Sequence, residues 1–160
     1  MGLQGHFLKN TPIFCELNET ERDEYKILSQ QLAIAVAQSP NKLSDKAKGL
    51  INKRSQLLSL VNSKLDKLEA ELSKNQPVKH TLIYCGAARD NNFQSRFDRH
   101  IDKVLNIAGN NIGIKIRKFT QDEDSPTRKE ILTDFANKKI DAIAAIKCLD
   151  EGIDIPKTQY

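Results

Sequence analysis

The 160-residue sequence predicts an α/β fold: a parallel β-sheet with an α-helical hairpin on its N-terminal side. Three observations carry this. Apolar runs at 80–86 (HTLIYCG) and 140–146 (IDAIAAI), with an alternating run at 113–120 (GIKIRKFT) between them, read as strands. A helical stripe separates each strand from the next, and strand–helix–strand alternation predicts parallel pairing with right-handed crossovers. Residues 18–74 show apolar spacings of three and four, which is helical. The predicted organisation is an N-terminal segment with an edge strand (1–17), a helical hairpin or insertion (18–76) and an α/β unit (77–160).

In chain order, residues 13–17 (IFCEL) are short, partly β-branched and preceded by Pro12, which suits an edge strand. A helix follows, with Asn18 or Thr20 as N-cap and Glu21 or Asp23 three positions later completing a capping box. It runs through Tyr25, Leu28, Leu32 and Val36 until Ser39, Pro40 and Asn41 break it. Leu43, Ala47, Leu50, Ile51, Leu57, Leu58, Val61, Leu65, Leu68 and Leu72 predict one long second helix, which Gly49 weakens locally without ending. Such a stripe also suits a plain packing or coiled-coil arm.

The run 81–85 is continuously apolar up to Gly86, as a strand buried on both faces would be. The next helix has Phe93, Phe97, Ile101, Val104 and Ala108 on its inner face and stops at Gly109 and Asn110. The strand at 113–120 alternates apolar and basic residues, so one of its faces is wetter. A further helix has Ser125 as N-cap, Pro126 at its first position, and Ile131, Leu132 and Phe135 inward. The last strand, 140–146, reads as buried on both faces.

Composition excludes several classes. No stretch approaches the roughly 18 apolar residues of a membrane span, and no basic-then-apolar leader opens the chain. Cys15, Cys85 and Cys148 are odd in number, far apart and set in apolar runs. They suit small core residues in a reducing, cytoplasmic setting, not disulfides or a metal site. The formal charge of +4 permits contact with nucleic acid without arguing for it.

Ligands of open parallel sheets bind at the carboxyl ends of the strands. That brings forward the loops at 85–92, 120–125 and 147–156. The last of these is unusual, because a core strand runs into Asp150, Glu151, Gly152 and Asp154. Two readings stand side by side there: a functional carboxylate loop, or solvated acids around a glycine turn. The chain carries no phosphate-cradling Gly-x-x-x-x-Gly-Lys-[Ser/Thr], no Gly-x-Gly-x-x-Gly, no His-Glu-x-x-His and no Gly-x-Ser-x-Gly. His6, His80 and His100 lie far apart, and His80 and His100 read as surface or packing residues. No catalytic residue and no metal ligand is assigned.

The stretches TLIYCG and KFTQDEDSPTRKEILTDFANKKIDAIAAIKCLDEGIDIP resemble the second RecA-like domain of superfamily 2 helicases and DNA translocases. The first is similar to motif IV. Arg128, Ile131, Leu132 and Phe135 match the pattern that precedes motif V, and residues 141–156 resemble motif V itself. Its Glu-Gly-Ile-Asp-Ile-Pro ending is similar to the restriction-enzyme, excision-repair and phage-defence branch. It departs from the RNA-helicase form, which has Thr at the place of Ile146 and Arg at that of Glu151. The segment 12–38 resembles the linker that opens the second domain of such motors.

The resemblance implies a RecA-like (P-loop NTPase-like) second helicase domain, incomplete because motif VI does not follow. It also implies roles residue by residue. Asp154 would reach the ribose of ATP, with Gly152 and Glu151 beside the nucleotide. Ile146, Lys147 and Cys148 would lie along a nucleic-acid backbone, DNA by this resemblance, with Thr120, Gly86 and Arg89 facing the same strand. ATP with Mg would be bound only together with a first RecA-like domain, which brings the P-loop lysine and the Mg-binding acids. This chain alone is therefore expected not to hydrolyse ATP. The rival expectations are a non-enzymatic interaction module acting through the helical hairpin and a stand-alone nucleotide-binding domain, against which the missing phosphate loop argues.

Overall fold

A computed structural model describes residues 10–86 and 91–146. Three strands, β1 (Thr81–Cys85), β2 (Ile116–Phe119) and β3 (Ala142–Ile146), form a sheet in the order β1-β3-β2. Both pairings are parallel, with Cys85 opposite Ile146 and Phe119 opposite Ala145. The expected parallel α/β arrangement is therefore the one observed. The last of the described strands is the central one.

Alternation along the strands sorts the core into two layers. Ala142 and Ala144 of β3, Ile83 and Cys85 of β1 and Ile116 of β2 face α3 (Ser63–Lys74) and α4 (Asn91–Asn106), where they meet Leu65, Leu72, Ile101, Val104 and Ala108. Ile143, Ala145, Leu82 and Phe119 face α5 (Ser125–Ala136) and pack on Ile131 and Phe135. Charges on β2 obey the same alternation. Arg117 pairs with Glu130 of α5 at 3.7 Å and Lys118 with Asp102 of α4 at 3.6 Å, so the basic residues of this strand lean over the edges of both layers.

The strand at 81–85 is not buried on both faces. It borders the described sheet, α5 covers Leu82, and Tyr84 on the same face is 56% exposed. Helix α5 starts one residue earlier than expected. Asp124, not Ser125, is the N-cap, accepting from the Thr127 N–H at 2.8 Å, because its carboxylate outcompetes a hydroxyl as acceptor. At the end of α4 the chain widens into a π-helical turn, Ile107–Asn111, before Gly113 adopts φ +83° and releases it into β2. Of the α4 residues expected inward, Phe97, Ile101 and Val104 are buried, as is Ala108 in that turn. The side chain of Phe93 lies outside the described residues.

The N-terminal half corrects the sequence reading more deeply. Residues 13–17 form no strand: no strand pairs with them among the described residues, the Glu16 carbonyl instead accepts from the Ser63 hydroxyl at 2.8 Å, and Phe14 is 86% exposed. Helix α1 (Glu19–Ala37) opens on a capping box in which the Asn18 side chain accepts from the Glu21 N–H and the Glu21 carboxylate from the Asn18 N–H, each at 2.9 Å. The long helix expected over 43–72 is two, α2 (Asp45–Ser59) and α3. The break at 60–62 has no proline or glycine to announce it. The second carboxylate oxygen of Glu21 accepts the Asn62 N–H at 2.9 Å, replacing the carbonyl that a continuous helix would have supplied. Leu60 turns inward beneath Phe97.

This break divides the molecule. Helices α1 and α2 form a hairpin with a small seam of Ala35, Ala47 and Leu50. Helix α3 belongs to the α/β core through Leu65 and Leu72. Residues from 63 onward therefore share the core of the sheet.

Candidate functional site

The carboxyl ends of the three strands converge on one rim. Ile146 leaves β3 opposite Cys85, with Gly86 next beyond, and one step past the Phe119–Ala145 pair, beside Thr120. Adjacent strands lie about 4.8 Å apart, so Gly86, Ile146 and Thr120 stand side by side. Of the residues expected to carry function, the structure brings these three together. Arg89, Lys147, Cys148, Glu151, Gly152 and Asp154 lie outside the described residues.

Gly86 is where β1 must pass beneath α4 and the end of α2. A Cβ built there would sit 2.5 Å from Phe97 Cε1 and 2.8 Å from Ser59 Cβ, so only glycine fits. Its role in the rim is close approach of backbone, which fixes where the chain leaves β1.

Thr120 is 1% exposed, and its hydroxyl does not face outward. Both its backbone N–H and its Oγ1 donate to Glu123 Oε2, the latter at 2.7 Å, while Oγ1 accepts the Asp122 N–H at 3.2 Å. One hydroxyl and one carboxylate thus brace the 120–124 turn, and Asp124 then caps α5. Thr120 shapes this loop from within instead of offering a free hydroxyl at the rim. Glu123 was not singled out from sequence. The Thr-x-x-Glu spacing at a strand end was the available signal.

Arg128, one turn into α5, holds its guanidinium 5.9 Å above the Phe119 ring, and its Nε is buried without a partner among the described residues. Cys85, at the end of β1, is buried, and burial pushes its thiol up to about 11. It is a core residue with no thiolate to offer. His80 stacks on the Phe135 ring and its Nε2 lies 2.9 Å from the Phe135 carbonyl, a packing role at the opposite end of the sheet. Among the described residues no cluster of His, Cys, Asp and Glu could hold a metal ion, and no helix is long and apolar enough to cross a membrane.

The stretch 63–160 matches the family of the helicase conserved C-terminal domain, which is more than half of the chain. The chain belongs to this family. The match starts at Ser63, the first residue of α3, the helix that shares the core of the sheet. The rim is therefore the strand-end surface of a helicase C-terminal domain. Among solved structures, the Pyrococcus furiosus Hef helicase domain is similar, at 21% identity over 84% of this chain, with a TM-score of 0.43. The chain spans 28% of the length of that structure. No curated protein matches this sequence.

Proposed function

We propose that this helicase C-terminal domain supplies one wall of an ATP cleft and part of the backbone track of a DNA helicase or translocase in the restriction, repair or phage-defence branch. The observation that carries the reading is the position of the central strand. β3 ends at Ile146 in the middle of the rim, between the ends of β1 and β2, and residues 147–156 follow it in the sequence. In this reading Asp154 accepts from the ATP ribose hydroxyls, with Glu151 beside the nucleotide, and Gly152 allows the intervening turn. Lys147 meets a phosphate of the strand, and Ile146 and Cys148 line the track. Thr120 and Gly86 act by fixing the strand ends on either side, and Arg89, three residues past Gly86 in the sequence, meets the same nucleic-acid strand. Such contacts grip the backbone and carry little base information.

The sequence holds no phosphate-cradling loop, so the other wall, with the P-loop lysine and the Mg ligands, comes from a first RecA-like domain. ATP-driven closure of the two would step the strand along. The test is ATP-dependent strand displacement by the protein in which this domain works against its P-loop partner. Asp154→Ala is expected to raise the KM for ATP about tenfold, the loss of one hydrogen bond to a charged group. Unchanged ATPase and unwinding refute the assignment.

One observation favours a second reading, in which the α1–α2 hairpin docks a protein partner. Ile27, Ile34, Val36 and Leu58 are all exposed on it. Deleting residues 19–59 would then abolish partner capture while motif V substitutions left it intact.

A further inference from the structure

On the flank of the domain, α4 presents Arg96, Arg99 and Lys103, at spacings of three and four on one helical stripe. This stripe, the start of α1 and the α2–α3 corner enclose a cavity of about 470 Å³, within the range of small-ligand sites.

The acids in the cavity are already engaged. Glu24 pairs with Arg96 at 3.1 Å, and both oxygens of Glu21 hold backbone N–H groups, of Asn18 and Asn62. The cations are less committed. Arg99 spends its Nε on the Ser95 carbonyl at 3.1 Å, which leaves the two terminal nitrogens of its fork, and Lys103 has no hydrogen-bond or ion-pair partner among the described residues. Between them lies His100, whose two ring nitrogens are both buried and both without a hydrogen bond. A neutral imidazole always has one N–H to donate, so an unsatisfied donor stands closed off at the cavity wall between two available cations, and a turn of the ring would bring it to a ligand.

We propose that this cavity binds a phosphate group, with Arg99 and Lys103 supplying charge and His100 donating a ring N–H to a phosphate oxygen. Burial, then the charges of Lys64 and Lys103, push the His100 pKa down, so the ring is neutral at pH 7. Around it stand Glu21 and Glu24 of α1, Lys64 of α3, and Arg96, Arg99 and Lys103 of α4. A bound phosphate offsets the lysine charges and favours the imidazolium. Binding therefore takes up a proton, and affinity rises as the pH falls from 8 to 6.

The experiment follows the ring resonances of His100 by NMR in the 160-residue chain, with His80 as internal control. One arm adds a dT oligonucleotide of about ten nucleotides, within the usual single-strand site size, whose phosphodiesters do not titrate in this range. The other arm adds tripolyphosphate. The expected result is a His100 shift with a raised pKa, and about tenfold weaker binding in the Arg99→Gln, Lys103→Gln double variant. Response to the oligonucleotide alone identifies a nucleic-acid backbone as the source, and response to tripolyphosphate identifies a free polyphosphate or nucleotide tail. Lys103→Gln alone, at an exposed position, keeps the test open if the double variant misfolds. His100 unmoved by both probes, or affinity unchanged in the variants, overturns the proposal.

Discussion

Two residues do more than their neighbours in sequence indicate. Glu21 is a surface-type residue held buried, and its carboxylate ties the start of α1 to the α2–α3 corner through the Asn18 and Asn62 N–H groups. Glu21→Ala orphans both donors, and urea unfolding is expected to show a loss of about 1–3 kcal/mol. The local half of this device was legible, because Asn-x-x-Glu ahead of an apolar periodicity is a capping signature. The long-range half was not, since nothing in the spacing says that the second oxygen reaches a backbone group 41 residues away. Gly86 behaves similarly. Its place after a strand was readable, but its reason, the Phe97 ring and Ser59 pressing on its α-carbon, is tertiary. Gly86→Ala overpacks that contact, and a cost of about 1–3 kcal/mol by denaturant titration is expected.

At the scale of elements, strands and helices with strong periodicity were read correctly, and errors fell where a partner decides. Residues 13–17 have strand-like composition and no neighbouring strand to pair with, so the propensity is unused. The α2–α3 break follows from packing, and it changes what α3 is for. Leu65→Ala is expected to cost about 2–5 kcal/mol, as for a core position, whereas Leu58→Ala, on the outer face of α2, should stay within about 0.5 kcal/mol. Comparable losses from the two would contradict the assignment of α3 to the sheet layer. The entrance to β3 carries a pH dependence. Asp141 accepts from Lys79 Nζ at 2.5 Å and from the Lys115 N–H at 3.1 Å, while its own backbone joins both neighbouring strands. The Lys79 hydrogen bond, with help from the Lys115 N–H and against the opposing effect of burial, holds its carboxyl below the usual carboxylate range. A depressed native pKa contributes stability above the unfolded value and loses it as the pH falls through the native one. Asp141→Asn should therefore destabilise by about 1 kcal/mol at pH 7. The gap from the parent protein should close below about pH 4.

For the molecule as a whole, the α/β class, the parallel direction and the three strands of the described sheet were legible, because short apolar or alternating runs take turns with helical stripes, and only β3 also has the two-face burial that a continuous apolar run implies. The rim was legible only as an address. The resemblance to motif V pointed to the segment after β3, but what surrounds the end of that strand depends on the Thr120–Glu123 brace and the Gly86 contact, which local pattern does not encode. The two lobes differ in how deeply they are buried. β3 has four of its five residues buried, whereas α1 buries only Glu21 and Ala35 of its nineteen. Native-state hydrogen exchange should find β3 amides opening only with global unfolding and α1 amides opening at a lower free energy. Equal protection in both would show a single cooperative unit.

The inverted order of the sheet has a cost during synthesis. β1 leaves the ribosome first and its only neighbour in the described sheet, β3, arrives after Ile146, so no backbone ladder can form in between. At about 5–20 residues per second, that interval lasts roughly 3–12 s. Throughout it the nascent chain displays Leu82, Ile83 and an unsealed strand edge, the kind of surface that holdase chaperones recognise and that neighbouring polysomal chains can capture.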